Sequence, residues 1–156
     1  MLQIAKMKIA NDILIPELAR LLNEEKEVRF TPSGNSMRPF IEGERDSVVL
    51  APLTHDPRCG DILLARVETA DGRRTYVLHR LARKDGEEPI YVLQGDGNIT
   101  GEEYCRREDI IGRVIAVENP AGKRKIMTRG RLWYHLRPMR HYLLKIYRHT
   151  WLKWKY

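Results

Sequence analysis

The sequence predicts a mainly β fold, an antiparallel meander closing towards a barrel or a sandwich, with one helix before it and one after. Three observations lead there. Short runs rich in β-branched and aromatic residues recur through the middle of the chain. Asp71-Gly72, Asp85-Gly86 and Asn119-Pro120-Ala121-Gly122 punctuate them, and Asp-Gly is a strong hairpin signal. Apolar residues at helical spacing occur only at the two ends.

In chain order, Asn11 or Asp12 can cap a first helix that extends to about Glu27, with Pro16 near its start. Ile13, Leu14, Leu18, Leu21 and Leu22 form its apolar face. Val28-Arg29-Phe30-Thr31 then alternates like a short strand and leads into the turn-prone Thr31-Pro32-Ser33-Gly34-Asn35. Further strands are expected at 46–50, 61–67, 75–81, 90–93 and 110–117, with breakers between Pro52 and Gly60. After Gly130 the chain is poor in β-branched residues and rich in Leu, Trp, Tyr, Lys and Arg. On a helical wheel Leu136, Met139, Leu143, Ile146, Tyr147, Trp151 and Trp154 share one sector, into which Arg140 intrudes. Pro138 should start or kink this helix. The organisation is therefore an N-terminal helical segment (1–27), a β domain (28–122) and a basic, aromatic helical tail (123–156).

At 156 residues the chain is one domain's worth and can bury a substantial core. Cys59 and Cys105 lie far apart without CxxC spacing, against a zinc site or a disulfide framework. Free thiols in a reducing compartment are the expectation. No apolar run approaches the ~20 residues needed to span a bilayer, and the first ten residues lack the apolar core of a secretory signal. The chain reads as cytoplasmic, or as peripheral to the inner face of a membrane. Its net charge of +7 is unevenly placed. Residues 123–156 hold eleven of the 28 Lys and Arg and none of the 21 Asp and Glu, which leaves the body mildly acidic. Such a tail suits an anionic partner.

Three segments carry candidate chemistry. Gly34-Asn35-Ser36-Met37-Arg38-Pro39 presents one serine at a bend, where Gly34 can adopt φ > 0. A serine there is a nucleophile only if a base reaches it from elsewhere. In the strand Thr75-Tyr76-Val77-Leu78-His79-Arg80-Leu81, His79 shares a face with Val77 and Leu81, and desolvation favours a neutral imidazole able to act as a base. Gln94-Gly95-Asp96-Gly97-Asn98 is a glycine-flanked loop directly after a strand, followed by Glu102 and Glu103. It lacks the lysine and helix of a phosphate cradle. Its Asp96 could accept backbone N–H groups or orient a histidine. His55, His135, His141 and His149 make no compact ligand set with His79, so neither metal nor cofactor is expected.

Taken in order, GxSMxP, a strand opening Gly60-Asp61-Ile62, a strand ending in His79-Arg80, Gly95-Asp96-x-Asn98 and Ile111-Gly112-Arg113-Val114 resemble the signal-peptidase/LexA-like serine peptidase superfamily. The resemblance covers about residues 30–117. It implies a partly open antiparallel β barrel, with Ser36 as nucleophile and His79 where the family's Ser-Lys branch has lysine. Asp96 and Glu102 compete for the third, acidic position. The backbone N–H of Ser36 would donate to the oxyanion, with Gly34, Asn35 and Met37 shaping the turn. The family's hydroxyl two positions before the nucleophile is replaced by Gly34, with Ser33 displaced by one, so backbone donors would serve alone. Substrate would lie extended beside Val28, Phe30 and Thr31. The sequence lacks both the family's N-terminal transmembrane anchor and its DNA-binding helix-turn-helix, and reads as a stand-alone peptidase domain with a basic tail.

The resemblance implies a serine endopeptidase acting on a peptide or a protein's terminal segment. The alternative is a catalytically silent peptide-binding or regulatory module of the same fold. For the tail, the readings are packing on the barrel or contact with an anionic membrane surface, with nucleic acid the weakest.

Overall fold

The computed structural model describes residues 11–69, 71–98, 100–126, 132 and 135–155. The expected caps Asn11 and Asp12 and the tail tryptophans Trp151 and Trp154 have side chains outside the described set. The fold is mainly β, an open antiparallel sheet with two helices. Helix α1 spans Asn11–Asn23, and the strands are β1 (Val28–Phe30), β2 (Ser47–Ala51), β3 (Ile62–Glu68), β4 (Arg74–Asp85), β5 (Ile90–Gln94), β6 (Glu103–Cys105), β7 (Ile110–Glu118) and β8 (Arg124–Ile126). Helix α2 is Arg140–Lys155, entered through a 3-10 turn at Arg137–Met139. Across the sheet the order is β1-β2-β7-β3-β4-β5-β6, with β8 pairing β7.

The continuous apolar run of β3 is explained by its central place. Ile62 and Leu64 enter one core cluster, while Leu63, Ala65 and Val67 enter another on the opposite face. The first cluster is covered by α1 through Ile15, Leu18 and Leu22. Burying each of these side chains contributes about 1.5–3 kcal/mol. In the second, Leu63 packs with Leu81, Tyr91, Leu93 and Cys105. Strands β3 and β6 are not paired, yet they approach one another, so this side of the sheet is strongly coiled.

Two boundaries and two strands differ from expectation. Helix α1 stops at Asn23, because Glu25 takes a left-handed conformation (φ 58°) that turns the chain into β1. Strand β4 continues past Leu81 to Asp85 across a register shift between Leu81 and Arg83. Strands β6 and β8 have only three residues each and were not expected. The tail sector is also redrawn. Leu144 and Arg140 are buried, Leu143 and Tyr147 are half-buried, and Met139 and Ile146 face outward. Arg140 sets this rotation, through contacts described below.

Candidate active site

The serine turn is held by its neighbours on both sides. Met37 and Ile41 are buried in the first core cluster and anchor the turn, leaving Ser36 half-buried. Amide-to-carbonyl bonds run from Arg38 to Asn35 (3.2 Å) and from Ile41 to Met37 (3.1 Å). The Arg38–Pro39 peptide bond is cis. Gly34 adopts φ 86°, as its place in the turn required. The sequence did not point to Gly43, where a Cβ would overlap the Gly34 carbonyl. Returning chain therefore packs directly against the turn, and the Glu44 amide bonds the Pro32 carbonyl at 2.8 Å.

Strand β4 brings His79 to this serine. The imidazole is buried, with Nε2 2.9 Å from Ser36 Oγ. The alternation expected along the strand holds: Val77 and Leu81 pack in the second cluster, Tyr76 and Leu78 against the first. His79 Nδ1 lies 2.8 Å from Oε2 of Glu103. Glu103 opens β6 opposite Leu93, which in turn pairs with Leu81, two residues along β4 from His79. Same-face alternation across three strands thus delivers the carboxylate to the imidazole.

Neither acid expected from the sequence touches His79. Glu102 precedes β6 by one residue and binds Arg83 through both oxygens, at 2.7 and 3.1 Å. Together with Asp85 it holds the Arg83 guanidinium above its ordinary pKa. Asp96 is fully buried and makes a bidentate pair with Arg80, at 2.8 and 2.7 Å. Arg80 Nη1 also donates to the Gly60 carbonyl at 2.7 Å, and its guanidinium lies 5.6 Å from the centre of the Phe40 ring. The Asp96 carboxylate therefore ties β4, the turn before β3 and the glycine loop into one unit.

That loop fits against the serine turn because it carries glycines. The Gly97 amide donates to the Ser36 carbonyl at 2.7 Å. A Cβ on Gly95 would stand 2.6 Å from that carbonyl and 3.1 Å from His79 Nε2, and one on Gly97 3.2 Å from the Asn35 and Arg38 carbonyls. Gly95→Ala is expected to cost about 1–3 kcal/mol of stability through overpacking. Displacing the serine relative to the imidazole should also slow any acylation of Ser36 by a reactive probe roughly a hundredfold. Thermal unfolding and the rate of labelling by a serine-reactive probe measure the two effects. Unchanged labelling would mean that the contact is slack.

Helix α2 closes the loop from outside, which the sequence did not reveal. Arg140 donates to Gln94 Oε1 at 3.1 Å and to the carbonyls of Gly95 and Asn98, and Arg148 donates to the Gly97 carbonyl at 3.0 Å. The only hint was Arg140's intrusion into the apolar sector.

The remaining expected residues are placed as follows. Strand β1 pairs with β2 alone and forms one edge of the sheet among the described residues. Val28 is buried and Phe30 half-buried against the core, while the Thr31 and Ser47 hydroxyls are 3.0 Å apart. The edge thus offers backbone rather than side-chain pockets. Among the described residues no group of His, Cys, Asp and Glu could hold a metal ion. Both cysteines are free thiols, and burial, aided by Asp109, pushes Cys105 up to about 12, which makes it a poor nucleophile. Comparison of the chain with protein-family models, curated proteins and solved structures finds no match.

Proposed function

We propose that the chain is a serine peptidase of the signal-peptidase/LexA-like type, with Ser36 as nucleophile, His79 as general base and acid, and Glu103 as the acid that orients it. One observation carries the reading: the hydrogen-bond chain from Ser36 Oγ through the buried imidazole to Glu103. The reaction is acyl transfer to water. Ser36 Oγ attacks a peptide carbonyl as its proton passes to His79 Nε2. The tetrahedral intermediate collapses, the C–N bond breaks, and the proton goes to the leaving amine. Water, deprotonated by the same imidazole, then releases the acyl group and restores the serine. Glu103 accepts the Nδ1–H, fixing the tautomer and stabilising the imidazolium. The Ser36 amide is the oxyanion donor in this reading, a role whose loss typically costs ~3–4 kcal/mol in the transition state. The edge of β1, unpaired among the described residues and directly before the serine turn, suits an extended peptide added as a further strand. The coiling of the sheet around the second core cluster supports the partly open barrel of this family.

A phosphonylating serine probe tests the reading. Wild-type protein should be labelled at Ser36, and labelling should vanish in Ser36→Ala and in His79→Ala. Wild type that resists the probe would point instead to a peptide-binding module without turnover.

A further inference from the structure

The two faces of α2 are chemically distinct. The inner face is occupied: Leu144 is buried, and Arg140 and Arg148 bind carbonyls of the glycine loop. The outer face carries Tyr142 and Ile146, one turn apart and 68% and 62% exposed, with Met139 just before them at 57%. Lys145 and His149 are exposed beside them. Large apolar side chains so far out of the core, beside Lys145 and within a basic segment, are not accounted for by folding. We infer that the outer face of α2 docks on an anionic lipid bilayer, with Met139, Tyr142 and Ile146 entering the headgroup region and the basic groups of the tail meeting lipid phosphates.

Charge complementarity selects this occupant. Residues 123–156 contain eleven Lys and Arg, of which Arg140 and Arg148 are engaged by the glycine loop, and no Asp or Glu, so nothing in this segment repels an anionic surface. On the body, Glu102 is bound to Arg83. A second copy would set one strongly basic tail against another, which costs free energy. Nucleic acid would engage the cations and stack on tyrosine, but it offers nothing to Met139 and Ile146. An interfacial helix needs all three features together, a basic surround, aliphatic side chains and interface-seeking aromatics. The helix lies on the surface and does not cross it, since no helix among the described residues is long and apolar enough to span.

All three tryptophans, Trp133, Trp151 and Trp154, lie in this basic segment, so selectively excited tryptophan emission reports on it alone. Full-length protein mixed with phosphatidylglycerol/phosphatidylcholine vesicles should co-sediment and shift its emission to the blue. Pure phosphatidylcholine should do neither, and rising salt should release the protein. Tyr142→Ser combined with Ile146→Ser should weaken partitioning at least tenfold, since both lose the apolar area that enters the headgroup region. Lys145→Gln should weaken it about fivefold, the equivalent of about 1 kcal/mol per cation at such a surface. Both variants should keep their circular dichroism and their labelling at Ser36, because neither touches the site. Three results would overturn the inference: no sedimentation with anionic vesicles, equal sedimentation with neutral ones, or preferential capture by a single-stranded oligonucleotide. A stable dimer that leaves the vesicles unbound would overturn it as well.

Discussion

Glu103→Gln should slow acylation of Ser36 by about 10⁴-fold, the size of effect seen when the acid of a serine triad becomes an amide. The amide is nearly isosteric, so the strand and the packing should survive. What changes is the tautomer, because an amide NH₂ facing Nδ1 favours the imidazole form that carries its proton on Nε2 and cannot accept one from serine. Glu102→Gln, one residue earlier, should leave acylation within about threefold, because Glu102 engages Arg83 rather than His79. The measurement is the second-order rate of phosphonylation or of ester hydrolysis for the two variants side by side. Equal losses, or a larger loss in Glu102→Gln, would remove Glu103 from the mechanism.

The second large effect concerns stability. Asp96→Ala should lower the unfolding free energy by about 3–5 kcal/mol, because it strands the Arg80 charge in a site where both partners are almost wholly buried. A domain of this size has about 5–15 kcal/mol in total, so the variant should be near the edge of folding. Arg80→Met with Asp96→Leu should recover much of the loss, since a hydrophobic pair of similar volume leaves no uncompensated charge. Urea unfolding of the single and double variants tests this. A single-variant loss below about 0.5 kcal/mol would mean that the pair is wetter than its burial implies. Labelling need not recover with stability, because the apolar pair cannot tie the loop to Gly60 through an arginine.

Much of the site could be read because it is local. Ser36 lies in a turn whose residues announce the bend, and His79 lies on a strand with clear alternation. The carboxylate that meets His79 could not be read for the opposite reason. Whether Glu102 or Glu103 faces the imidazole depends on where β6 begins, and a three-residue strand carries no pattern that fixes its parity. Asp96 stood out for good physical cause, as a carboxylate between two glycines, but its partner Arg80 was visible only as the neighbour of the histidine. The same limit applies to the fold. Runs of β-branched and apolar residues bounded by turn signals gave β1 to β5 and β7, while the extension of β4 over Ala82, Arg83 and Lys84 runs through weak strand formers, recruited by pairing with β5. The outer rotation of α2 could not follow from apolar spacing alone, because a buried arginine satisfied by carbonyls outweighs the sector rule.

The grip of α2 on the glycine loop also has a temporal side. Ser36, His79 and Glu103 all leave the ribosome before Arg140 does. Until then the carbonyls of Gly95 and Asn98 lack the guanidinium and keep only their local donors, the Asn98 amide and the Gln94 side chain. A helix synthesised after all three is the one that fixes the loop beneath Ser36, so a nascent chain would carry these side chains before it carries the brace that aligns them. Competence would come late in synthesis, once the body around the site has had time to fold.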